Sequence, residues 1–460
     1  MNRRLALLVA AAFFMENLDG TIIQTAVPTI ARDFGVGALQ VTASITAYLL
    51  AVAIGVPASG WLANRFGTRR VFLAAVTLFT LASVACALSQ DLPELVAARV
   101  AQGIGGAMMV PIGRLAVLRA VDKRDLLSAI AYLTWPALAA PLVAPALGGI
   151  LTDTVGWHWI FLINLPIGLA CLVAGLRLLS RGDMLARTPF DWPGFLLTGA
   201  SLAALVLAMQ EVTAPRVSWW LAGALFATAV GVGWAAVAWL RRATHPLLSF
   251  AALRTHTFRV ANAGGGLYRM LVSSAPLLFT LLFQVAFGWS ATIAGLLVVA
   301  LFAGNLLIKP LTTPIIRRFG FRTAILASDI GGGAVFALAA LLDRTTAVWV
   351  IVGLLVVSGA LRSIGFTAYQ SVQFADIDSD ATVDANSLSS TVQQVAVAVG
   401  IAFAAVVVRA STTVAVLSAG PSDGWLGYRW AFLVLAALMI VPAIEAARLR
   451  RDAGSHLVAA

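Results

Sequence analysis

Glu16 and Asp19 stand three residues apart inside an apolar stretch that runs from Leu5 to about Ile30. At the helical rise they lie about 16 and 21 Å from Leu5, too deep for a short carboxylate to reach water. Their i, i+3 spacing puts both on one helix face. Two neighbouring carboxylates in a low dielectric resist joint ionisation, so one of them is expected to hold its proton. A carboxyl that gains and loses a proton near neutral pH is what a proton-coupled carrier needs. Arg99, about 10 Å inside the end of another apolar stretch, lies at a matching depth. It either stabilises the ionised form of Asp19 or locks two helices together as a structural ion pair. The four histidines, His158, His245, His256 and His456, fall in loops or tails, which leaves carboxylates as the proton carriers.

The elements that position these charges are read from composition and charge. Of 460 residues, 60% are hydrophobic and 11% charged, and apolar runs of 18 or more recur from end to end. The chain is therefore predicted to be an all-α integral membrane protein. Its net charge of +11 is spread over many short loops rather than gathered on one face, which argues against nucleic acid as a partner. Hydrophobic windows give fourteen helices, from 5–30 to 425–447, including 290–314 and 322–342. Alternate loops and both ends carry 21 Lys and Arg residues, and the opposite loops carry four. The positive-inside rule then places both termini in the cytoplasm, and tryptophans at the other helix ends agree with an outer interfacial belt. The start of the chain has no small-residue cleavage site and is read as a retained helix. Cys86 and Cys171 lie in apolar helices and are read as core thiols.

A short repeat organises the spans. RFGTR at 65–69 joins helices 2 and 3, and RFGFR at 318–322 joins helices 10 and 11. An offset of eight implies two six-helix bundles with two extra helices inserted between them. The expected division is 1–188, 189–243 and 244–460. There is no G-x-x-x-x-G-K-[ST] phosphate cradle, no metal-ligand cluster and no nucleophile–base set. No cofactor and no enzymatic reaction are expected, and any transport would be secondary. Arg114, Lys309, Glu445 and Arg409 lie near helix ends and can snorkel. For Asp329, beside Gly331–Gly333, packing at a water-filled gap and a functional role stay open. Arg362 also falls within a helix.

Several stretches resemble the major facilitator superfamily, and within it the fourteen-span drug:proton antiporter branch. They are LDGTIIQTAVP at 18–28, RVAQGIGGAMMVPIGRL at 99–115, WHWIFLINLPIG at 157–168, FDWPGFLL at 190–197 and FQVAFGWSATIAGL at 283–296. The resemblance covers nearly the whole chain. It implies the major facilitator fold, alternating access, a bacterial inner-membrane location and export driven by the proton gradient. It makes Gly60, Asn64, Arg65, Gly67 and Arg69 the cytoplasmic gate motif, with Asn64 where the family has aspartate. Arg318, Gly320 and Arg322 are the second copy. Arg99 and Gln102 match the helix 4 motif implicated in proton coupling, and Asp19 matches the helix 1 aspartate of the branch. Glu16 falls where the family has a neutral residue. The helix 5 antiporter signature survives as Pro141, Ala144, Pro145, Gly148 and Gly149, with alanine at Ala140 and Ala144 in place of glycine.

The family's cavity is central and lined by both halves. Trp135, one residue before Pro136, is either a wall residue of that cavity or faces lipid. Tyr48, Gln102, Gln284 and Tyr369 are candidates for polar contacts in an otherwise apolar chamber. Arg269 matches a basic residue of the family and either pairs with an acid or attracts anions. The expected partners are protons, a small amphipathic substrate and the lipid bilayer, with the chain acting as a monomer. A carrier dedicated to one amino acid, sugar derivative or siderophore, and a non-transporting scaffold or sensor, are the rival classes.

Overall fold

A computed structural model describes residues 3–120, 126–179, 189–244, 246–378, 382–419, 425–450 and 453–454, without side chains at 3, 118–120, 126–138 and 382–384. These residues are helical with short connections. The first eight helices are α1 (Arg3–Asp33), α2 (Ala38–Phe66), α3 (Thr68–Leu88), α4 (Leu92–Ala120), α5 (Leu126–Thr154), α6 (Trp159–Leu178), α7 (Trp192–Thr213) and α8 (Trp219–Leu240). After α9 (His256–Ala286) comes α10, which begins as Ala291–Leu307 and continues through 309–319. The last four are α11 (321–339), α12 (Val348–Val372), α13 (Thr382–Ala419) and α14 (Trp425–Ala447). Among the described residues, twelve helices are long and apolar enough to cross a membrane. Ala291–Leu307 is apolar but shorter, and α5 is only partly described. The chain is a multi-pass membrane protein.

The chain divides into two compact units, Met1–Leu247 and Leu248–Ala460. In the first, α4 packs between α2 and α3, α1 packs against α5, and α3 against α6. The same pairs recur in the second unit eight helices later: α12 with α10 and α11, α9 with α13, and α11 with α14. The pair α7–α8 belongs to the first unit and leans on α2, where Trp61 meets Phe190 at 4.9 Å between ring centroids. Its remaining surface faces outward, and Trp234 is 75% exposed. Asp191 caps the start of α7 and joins it to the end of α8. It accepts from the Gly194 N–H at 3.0 Å, the Trp239 indole at 2.8 Å and the Leu247 N–H at 2.9 Å. Burial alone would raise this carboxyl, but the hydrogen bonds from Leu247, Trp239 and Gly194 outweigh it and hold it below the usual carboxylate range.

The two RFG turns share one backbone solution. Gly67 has φ 88° and ψ 139°, and Gly320 has φ 78° and ψ 161°. Only glycine enters this region without strain, so one residue breaks each helix and starts the next. Helix 10 is predicted to end at 314, yet it stays helical to Phe319, because Gly320 rather than the basic cluster stops it. Each turn also supplies an arginine to another helix of its unit, α6 in the first and α14 in the second. The Arg69 guanidinium donates to the Leu176 carbonyl at 2.7 Å, and that of Arg322 to the Ala447 carbonyl at 3.0 Å. Both cap free carbonyls at a helix C-terminus, where a cation is favoured.

Candidate functional site

Asp19 sits at the centre of a buried polar knot made by four helices. Arg99 of α4 donates through Nη1 to Asp19 Oδ2, and also to Gln102 Oε1 at 2.6 Å. Asp19 Oδ1 accepts from Gln102 Nε2 at 2.8 Å and from Asn164 Nδ2 of α6 at 2.7 Å. Ser83 Oγ of α3 accepts from Gln102 at 2.6 Å and from Asn164 at 3.1 Å. The Arg99 guanidinium carbon lies 4.1 Å from the Tyr48 ring centroid. Asp19, Ser83, Arg99, Gln102 and Asn164 have no exposed surface at all.

Local geometry explains the convergence. Arg99 and Gln102 are i, i+3 on α4, so they present as one unit toward α1 and α3. Gly148 lets α5 close on α1. A Cβ there would stand 2.5 Å from Thr25 Oγ1 and 2.7 Å from the Ile22 carbonyl, one turn beyond Asp19. Gly148, one of the two surviving glycines of the helix 5 signature, is therefore a close-packing contact. Ala140, Ala144, Pro145 and Gly149 are buried beside it, and Pro141 is half-buried.

A buried ion pair persists only if its remaining hydrogen-bonding capacity is well used. Here the carboxylate accepts three donors from two other helices, so the charge on Asp19 is neutralised and spread. Arg99 Nε and Nη2 and Asn164 Oδ1 are buried without partners. Protonating Asp19 would cancel the attraction that draws α4 onto α1. Glu16 lies outside the knot. It is half-buried, and its Oε2 is buried without a hydrogen bond. Its Cδ would be 3.7 Å from a Cβ at Gly106.

The second unit holds its charges differently. Asp329 is fully buried, its Oδ2 accepts from the Tyr369 hydroxyl at 3.0 Å, and its Oδ1 has no partner. Arg269 of α9 lies 4.3 Å from the Phe366 ring centroid, and Arg362 of α12 lies 5.1 Å from the same centroid. Arg269 reaches Gln370 Oε1 at 3.4 Å, while Arg362 Nε and Nη1 are buried and unpartnered. A membrane charge costs at least about 2.5–3.5 kcal/mol, and a cation–π contact returns about 0.5–2 kcal/mol.

The residues expected to act together are only partly gathered. Asp19, Arg99, Gln102 and Tyr48 converge. Gln102 and Tyr48, expected on a cavity wall, are instead sealed around Arg99. Tyr369 belongs to the Asp329 contact, and Arg269 to the Phe366 cluster. Gln284 lies in the π-helical end of α9, Leu282–Ala286, and is half-buried. Trp135 is in α5, but its side chain lies outside the described residues. In the gate motif, Asn64 makes a polar contact, and Arg318 stands 5.6 Å from the Phe319 ring centroid. Gly60 and Arg65 sit in the last turns of α2. Asn164 and Ser83 were invisible to a search for charges, although an asparagine before Leu-Pro inside an apolar run is itself a signal. Arg362 was seen as a deep charge without a role.

Among the described residues there is no cluster of three or more metal-ligating side chains. The sequence profile described as Major Facilitator Superfamily matches residues 9–401. The chain is 35% identical to "Putative multidrug resistance protein MdtD" of Cronobacter sakazakii, over 98% of this chain and 96% of that one. It is 34% identical to the protein of the same name from Klebsiella pneumoniae, over 98% and 95%. In structure it is similar to an auto inhibited POT family peptide transporter, with a TM-score of 0.66 at 16% identity, covering 97% of each chain.

Proposed function

The chain belongs to the major facilitator superfamily, whose members are secondary transporters rather than enzymes, and from that premise we propose that it exports amphipathic small molecules in exchange for protons. The observation that carries this reading is the sealed Asp19 knot at mid-membrane depth. Asp19 is the proton carrier. Arg99, Gln102 and Asn164 sense its charge, because protonation removes the negative charge they all face and turns one carboxyl oxygen into a donor. Releasing α4 and α6 from α1 lets the first unit change its packing during alternating access. Glu16 serves as a second proton site on the same helix.

In this reading the protein sits in the bacterial inner membrane with both termini and both RFG turns in the cytoplasm. Residues 1–188 and 244–460 are the two transporting bundles, and 189–243 is an inserted helical pair. Gly60, Asn64, Arg65, Gly67 and Arg69, together with Arg318, Gly320 and Arg322, form the cytoplasmic gate. The substrate class is supported by the names that the relatives carry and by the apolar composition of the spans.

The test is transport into proteoliposomes under an imposed pH gradient, using a panel of unrelated amphipathic compounds. Gradient-driven movement of several is the expected result. Movement of a single metabolite would make the protein a dedicated carrier, and movement of none would leave a scaffold or sensor. Asp19→Asn is expected to abolish accumulation while membrane insertion is kept, with thermal stability lowered less than in Arg99→Met, because Arg99 loses its counter-charge but keeps an amide acceptor.

A further inference from the structure

Arg269 and Arg362 approach Phe366 from two helices, and the two guanidinium carbons can be no further apart than their distances to that ring laid end to end. Both residues lie near the middle of their spans, His256–Ala286 and Val348–Val372. At that depth a lipid headgroup cannot reach them. Among the described residues neither has a carboxylate within salt-bridge distance. The buried acid of the same unit, Asp329 of α11, is engaged by Tyr369. Tyr268 stands between the two groups, 5.5 Å from Tyr369 and 5.8 Å edge-on from Phe366 between ring centroids.

Two like charges beside one ring in a low dielectric repel each other, and ring faces offset only part of their cost. The arrangement is incomplete unless something negative completes it. Arg269, Arg362 and Phe366 are half-buried and Gln370 is exposed, so the cluster opens on one side. Guanidinium groups bind oxyanions through their N–H donors, and Arg362 Nε and Nη1 each lack a hydrogen-bond partner. We propose that Arg269, Arg362 and Phe366 form the substrate-recognition site of the second unit, and that it takes amphipathic organic anions, a carboxylate or sulfonate on an aromatic body. The anionic group bridges the guanidiniums and the aromatic body packs against the Phe366 edge. This rests on the reading of the chain as a carrier of amphipathic molecules and narrows it by charge.

Binding to the purified full-length protein, measured by equilibrium dialysis without any gradient, tests the site apart from proton coupling. The probes share one scaffold: biphenyl-4-sulfonate, neutral biphenyl-4-sulfonamide and the biphenyl-4-trimethylammonium cation. The anion is expected to bind at least about tenfold more tightly than either other probe. Arg362→Gln and Arg269→Gln should each weaken the anion about tenfold and leave the sulfonamide unchanged. Should one variant fail to fold, the other decides. Equal binding of anion and sulfonamide, no binding of the anion, or unchanged anion affinity in a folded variant would overturn the proposal. Anion binding without gradient-driven transport would uphold this site and refute proton-coupled export. Transport without anion preference would do the reverse.

Discussion

In the first unit Asp19 accepts from Arg99, Gln102 and Asn164, and none of these side chains is exposed. In the second unit Arg269 and Arg362 share one phenyl ring, while Asp329 is held apart by Tyr369. The two bundles repeat the same helix pairs, so the contrast comes from side chains rather than topology. A closed, neutral knot suits a switch that is thrown by one proton. An open, unneutralised pair suits a charge supplied by a ligand. The proposed division of labour between the repeats is coupling in the first and recognition in the second.

Stability measurements can break or sharpen this contrast. Arg99→Met should be the most damaging change, costing about 3–5 kcal/mol, because it leaves Asp19 buried without its counter-charge. Thermal unfolding in detergent should register it as a large loss of melting temperature. Asn164→Ala removes one donor to Asp19 and one to Ser83, for about 1–3 kcal/mol in the same assay. Asp191→Ala, outside the membrane spans, should cost about 0.5–2 kcal/mol through the lost helix cap. That carboxyl is held below its ordinary range when folded, so its contribution is present above the unfolded value and is lost as pH falls through the folded one. The penalty should therefore be full at pH 7 and fade below about pH 4. Arg362→Met should have the smallest effect, within about 0.5 kcal/mol of the parent or stabilising, since it removes an unpaired charge. A loss comparable with that of Arg99→Met would erase the distinction between the two units.

Much of this was legible in the sequence because lipid enforces simple rules. Span number, the doubled RFG turn and the depth of Asp19 and Arg99 follow from hydropathy, glycine and helical rise. The partners of Asp19 were less legible. Asn164 and Ser83 are neutral and separated from it by whole helices, so only packing brings them together. Gln102 carries no mark that separates a sealed network residue from a cavity residue, and the structure places it in the network. The end of helix 10 lies beyond the hydrophobic window that predicts 290–314, because the positive φ of Gly320, which hydropathy does not register, sets it. Arg362 shows the opposite limit: its depth was evident, but its pairing with Arg269 across Phe366 exists only in three dimensions.

The central claim is that the proton which drives transport rides on Asp19 and not on Asp329. It is tested most directly by recording the pH inside proteoliposomes as a transported probe is added, comparing the parent protein with Asp19→Asn and Asp329→Asn. The account predicts that the parent and Asp329→Asn move protons with the probe, while Asp19→Asn exchanges probe across the membrane and moves none. Proton movement that survives in Asp19→Asn, or that disappears in Asp329→Asn, would contradict it.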